Sequence, residues 1–206
     1  MRIIEKPTPE PELISFNEVW PAVKSGSSNT VQVREFALSA LHVTGKVFIT
    51  PEHRLALDNG ITWALVHLAD GAEKEALLSA IQQFNEISQS QVSLTDNSYI
   101  QAKQTLTNQA TDILQMEKTH VLANILPFEL HESMADEYST DNMEITEAAM
   151  PLYLTHNRSV LTDTTFLGFP FHYFYTAVFL LILFIGLCYA YCVQIDKNNK
   201  KLQISE

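Results

Sequence analysis

Cysteine is almost missing from this chain: of 206 residues only Cys188 and Cys192 are Cys, and both fall inside one apolar stretch. The remainder carries none, which excludes a disulfide framework and a thiolate metal site there. Basic residues are scarce too, 13 Lys plus Arg against 24 Asp plus Glu, for a formal net charge of −11. An acidic chain is repelled by phosphate backbones, so no nucleic-acid partner is expected. Glycine numbers only 6, and no Gly-rich phosphate loop, HExxH, GxSxG or CxxC occurs. His53 and His67 lie near one predicted helix but far apart along it, and with no Cys nearby they give no zinc site. No catalytic residue, cofactor or metal is therefore expected, and the chain is read as no enzyme.

The longest absence is of charge. From Thr164 to Ile195 there is no Asp, Glu, Lys or Arg, and the centre, Tyr175 to Val193, is almost wholly apolar. At about 1.5 Å per residue such a helix covers the roughly 30 Å hydrocarbon core of a bilayer. Residues 164–195 therefore predict one transmembrane segment, with the lipid bilayer as its partner. The start, MRIIEKPTPEPELISF, holds three prolines and no long apolar run, so it does not read as a signal peptide.

The rest predicts a mainly α protein: a small soluble helical domain followed by one C-terminal transmembrane helix. Residues 1–29 read as an irregular arm, because Pro7, Pro9, Pro11 and Pro21 resist regular structure and Ser25 to Asn29 is loop-like. Residues 30–126 read as the helical domain. Val31 to Ile49 fits helix or strand. Thr50-Pro51-Glu52 starts a helix, with Thr50 as cap, Pro51 in the first turn and Glu52 complementing the dipole. Asn59-Gly60 would interrupt that helix and Asp70-Gly71 would end it. A second helix follows from Ala72 to about Ile87, and a third from Ser98 to about Leu126, where Pro127 stops it.

Residues 127–163 read as an acidic tether, partly disordered. No Lys or Arg falls between Lys118 and Arg158, while Glu129, Glu132, Asp136, Glu137, Asp141, Glu144 and Glu147 do. Glu129-Leu130-His131-Glu132 is a compact acid/base cluster, but in a tether its groups would be solvated and untuned. Residues 196–206 form a basic tail.

Within the apolar segment, Cys188 and Cys192 share a helix face, and with Gly186 and Ala190 they are read as a flank for packing against another membrane helix. Acylation of Cys192 is the other reading. Aromatics crowd the entry, and Tyr189 and Tyr191 flank the exit, as in an interfacial belt. Lys197, Lys200 and Lys201 follow, against Arg158 alone before it. That bias puts the tail in the cytoplasm. A domain without a signal sequence would instead stay cytoplasmic, as in a tail-anchored protein.

The run Leu167-Gly168-Phe169-Pro170, then Tyr173-Phe174-Tyr175, then Phe184, Leu187 and Tyr191, ending at Lys197, resembles the second membrane helix of the small subunit of bacterial sodium/solute symporters. These are short accessory proteins of a large sodium-coupled carrier. The resemblance implies that Gly168, Phe169, Pro170, Tyr173 and Tyr175 form the membrane entry, and that Tyr189, Tyr191, Lys197, Lys200 and Lys201 are interface anchors. It implies a larger polytopic membrane protein as partner and the bacterial inner membrane as location. The chain departs from that family at Ala177-Val178, where a Gln-Gln pair is usual. It also lacks a second apolar segment for the family's earlier membrane helix. The alternative function is a tail-anchored adaptor whose helical domain binds a protein partner.

Overall fold

The first helix begins on a proline. α1 (Pro11–Lys24) carries Pro11 at its first position, where the missing N–H costs nothing and φ is already helical. Leu13, Phe16, Val19, Trp20 and Val23 recur every three or four residues on its buried side. Within the irregular arm expected over residues 1–29, Pro11–Lys24 is thus helix. Proline marks its start, and Pro21 near its end is accommodated within it.

The chain is seen here in a computed structural model, which describes residues 5–46, 48–90, 93–131, 137–159, 165–166, 169–170, 173 and 175–201. It divides into two units, residues 9–156 and residues 1–8 with 157–206.

In the first unit α2 (Thr30–Thr44) resolves the helix-or-strand ambiguity as helix. Its start is a capping box: Asn29 Oδ1 accepts from Gln32 N at 2.9 Å, and Gln32 Oε1 accepts from Asn29 N at 3.0 Å. α3 (Pro51–Leu68) starts where expected, but the Thr50 side chain makes no cap bond. Instead the Thr50 N–H donates to Tyr153 Oη at 3.1 Å. Asn59-Gly60 does not break α3, because Gly60 is a contact point. A Cβ there would sit 2.9 Å from Phe36 Cζ and 3.0 Å from Tyr138 Oη. α4 (Gly71–Gln89) and α5 (Asn97–Leu114) follow, α5 capped by Asp96 Oδ1 on Ser98 N at 2.9 Å. α5 ends well before the expected Leu126, at Gln115 in the left-handed conformation (φ 53°). Two short 3-10 turns, Val121–Asn124 and Leu126–Glu129, then fold back.

The tether expected over 127–163 is also mostly built into this unit. α6 (Thr140–Tyr153) is capped by Ser139 and buries Thr146, Ala149 and Met150. It packs on α3, as α1 packs on α2, α2 on α3 and α4 on α5. An aromatic chain binds the layers: Phe16 stacks on Trp20 at 4.9 Å, Trp20 meets Phe36 at 5.5 Å, and Tyr138 stacks on Trp63 at 5.7 Å. Tyr138 donates to Thr146 Oγ1 at 2.6 Å, anchoring the lead into α6. Acidic residues on the exposed side had hidden an amphipathic helix.

β1 (Glu5–Pro9) pairs with β2 (Thr155–Ser159). In the second unit β3 (Thr165–Phe166) pairs antiparallel with β4 (Phe169–Pro170), Phe166 opposite Phe169. A single π turn, Tyr175–Phe179, leads into α7 (Leu180–Lys201). The protein is mainly α, with one C-terminal helix long and apolar enough to cross a membrane.

Candidate functional site: a membrane helix and a buried carboxylate pair

The helical stretch Thr176–Lys200 has 25 residues, about 37 Å at the usual rise. None of its apolar window is buried by the rest of the chain. Leu181, Ile182, Phe184, Ile185 and Leu187 all stand exposed, Phe184 by 65%. At roughly 25 cal/mol per Å² of apolar surface, such a helix is strongly driven out of water. Lipid removes that cost and leaves the internal backbone hydrogen bonds intact.

The expected packing residues are all on this helix. Gly186 has no heavy atom within 4 Å of where its Cβ would be, and Cys188 and Cys192 are free and exposed. They do not make one flank, however. At about 100° per residue, Gly186 and Ala190 lie on one side and Cys188 and Cys192 some 200° round from them. The helix therefore has two small-residue faces. Gly186-x-x-x-Ala190 is the one that permits close backbone approach. Tyr189 and Tyr191 are exposed at 72% and 67%, and Lys197 and Lys200 are exposed near the end. Lys201 is the last residue of α7.

Of the entry motif, Phe169 and Pro170 form β4 and Tyr175 opens the π turn. The Tyr173 carbonyl accepts from Thr176 Oγ1 at 3.1 Å. Gly168 lies outside the described residues.

The second feature was not anticipated. Arg54, Asp58 and Thr62 stand one turn apart on one side of α3, facing the turn that carries Glu129. Glu129, expected in a solvated tether, is 0% exposed. Its Oε1 accepts from Arg54 Nη2 at 2.5 Å. The Asp58 carboxyl stands beside it. Asp58 Oδ1 and Glu129 Oε2 are buried with no hydrogen-bond partner among the described residues. Two neighbouring buried carboxyls do not both ionise readily. Burial, then Asp58, pushes the Glu129 carboxyl up to about 8, against the pull of Arg54. Thr62 Oγ1 accepts from His131 N at 3.2 Å and donates to the Glu129 carbonyl at 3.4 Å. His131 Nε2 lies 3.8 Å from Asp58 Oδ2.

This cluster clamps residues 126–131 to α3. A surface pocket of about 780 Å³ lies elsewhere, between α5 and Phe128, where Lys103 lies over the ring at 4.9 Å. Its lining includes no carboxylate, thiol or imidazole. The signal for the clamp was present in the sequence as polar Asp58, Asn59 and Thr62 inside an otherwise apolar helix. His53 and His67 have separate environments: His53 Nδ1 meets Tyr153 Oη at 3.0 Å, and His67 stacks on Trp63 at 5.2 Å.

One family model matches. It is described as a domain of unknown function, DUF4212, and covers residues 149–205. That span includes the end of α6, β2 and all of α7, and it is well under half of the chain. It contains the whole run from Leu167 to Lys197 on which the likeness to symporter small subunits rests. No curated protein and no solved structure matches the chain.

Proposed function

We propose that this chain is a non-enzymatic single-pass membrane protein that serves as accessory subunit of a sodium-coupled solute transporter. The observation that carries the membrane part is the fully uncovered apolar surface of Thr176–Lys200. The transporter part is supported by the resemblance over residues 167–197. In this reading the Gly186/Ala190 face of α7 docks against a membrane helix of the carrier, with the lysines after it at the cytoplasmic interface of the bacterial inner membrane. The cysteine face meets lipid.

The test is a pull-down of the tagged full chain from native membranes in mild detergent. A stoichiometric polytopic carrier, lost on Gly186→Leu with Ala190→Leu and kept on Cys188→Leu with Cys192→Leu, is the expected result. Recovery of soluble proteins alone contradicts it.

A second reading is favoured by the self-contained core of residues 9–156: a tail-anchored adaptor whose helical domain binds a protein partner. It predicts a cytoplasmic domain and indifference to the order of residues in α7. A scrambled α7 of equal length and hydropathy that keeps the partner would select the adaptor.

A further inference from the structure

We propose that Glu10, Glu12, His42 and His156 form a binding site for a divalent transition-metal ion of the zinc class, at the place where the chain enters and leaves the helical domain. Glu10 and Glu12 flank the start of α1, His42 lies in the last turn of α2, and His156 is on β2. The two chain ends are held together here, the Glu10 N–H donating to the Leu154 carbonyl at 2.8 Å.

One donor atom from each of Glu10, Glu12 and His42 lies within 4.8 Å of the others. Donors around a tetrahedral zinc ion stand roughly 3.3–3.6 Å apart, since each bond is about 2.0–2.2 Å. Small side-chain adjustments therefore suffice. His42 Nε2 is 3.1 Å from Glu10 Oε2, and its Nδ1 is 3.6 Å from Glu12 Oε1. A neutral imidazole has one N–H and one lone pair, so one of these nitrogens presents a lone pair to a carboxylate oxygen. That pairing is repulsive while the ring is neutral, and a cation between them would relieve it. His156 Nε2 also contacts Glu10. Lys46 pairs with the same carboxylate and orients it, as outer partners of metal ligands do.

The residues line an open pocket of about 570 Å³, which also admits His120. Mixed imidazole and carboxylate donors select zinc-like ions, whereas Mg²⁺ and Ca²⁺ prefer all-oxygen shells. Such an ion would tie the N-terminal entry of the domain to its exit toward α7.

The test is a calorimetric titration of ZnCl₂ into the chelator-stripped full chain in detergent micelles at neutral pH, with MgCl₂ as comparison. One equivalent of zinc should bind and magnesium should give no heat. His42→Asn and His156→Asn should each weaken binding about tenfold or more, Glu12→Gln should weaken it less, and His67→Asn should leave it unchanged. Far-UV circular dichroism checks that each variant is folded. Glu12→Gln tests the site through a side chain at its surface should either histidine variant unfold. Failure to bind zinc, or binding that all three site variants leave intact, overturns the proposal and makes His42 an ordinary counter-ion of Glu10 and Glu12.

Discussion

Residues 9–156 and α7 are both rich in large apolar side chains, and they dispose of them in opposite ways. In the first, Phe36, Leu57, Ile61 and Leu65 are covered completely by neighbouring helices. In the second, Phe184, Ile185 and Leu187 are more than half uncovered. Polar groups follow the same division. The helical domain buries Glu129 and Asp58 beside Arg54 and His131. α7 carries no charge until Asp196. Composition alone does not separate a core from a membrane span. What separates them is whether other parts of the chain supply the cover.

The sharpest way to break this comparison is to make one substitution in both regions. Phe36→Ala should destabilise the helical domain by about 3–5 kcal/mol, since it empties the centre of the aromatic chain. Phe184→Ala should leave that domain's thermal midpoint unchanged. Thermal melts of both variants in detergent, followed by the Trp20 and Trp63 fluorescence, decide it; equal losses would mean that α7 is part of the domain core.

A smaller effect is expected at Gly60. Gly60→Ala should cost about 1–3 kcal/mol, because Phe36 and Tyr138 close on that position from two sides. Gly186→Ala, in open space on α7, should cost the domain nothing, and a chemical-denaturation midpoint for each checks this.

A further contrast concerns pH. The Glu129 value of about 8 lies above its ordinary 4.5, so the folded state holds that proton more tightly than the unfolded chain. The resulting stability is complete below pH 4.5 and is lost as pH rises through about 8. Melts across this window should show wild type weakening toward alkaline pH. Glu129→Gln, which keeps a neutral side chain, should show a flatter profile. An equal slope in both would remove Glu129 as the source.

Much of the architecture was legible from the sequence. Pro51 and the apolar spacing after it located α3, Leu77, Ile81 and Phe84 located α4, and the charge-free run located α7. The misreadings share a cause, since each took a local property for a structural one. Pro11 reads locally as a breaker, yet its position at the first turn of α1 makes it a starter. Glu144 and Glu147 signalled solvent, while Thr146, Ala149 and Met150 between and beside them supplied the buried side. Gly60 reads locally as a break, yet two rings occupy the space its missing Cβ leaves. The Arg54–Asp58–Glu129 clamp was beyond local reading because Glu129 arrives from a turn more than sixty residues along the chain. The four small residues of α7 were grouped by proximity in sequence, which the helical period divides between two faces.

The most direct test of the central claim is alkaline carbonate extraction of membranes from cells producing the full chain, beside an Ile185→Arg variant. An arginine at the middle of a membrane helix costs about 2.5–3.5 kcal/mol on insertion scales. The account predicts that wild type stays in the membrane pellet and that the variant is released in substantial part. Wild type recovered in the supernatant, or a variant retained as fully as wild type, would contradict a membrane-spanning α7.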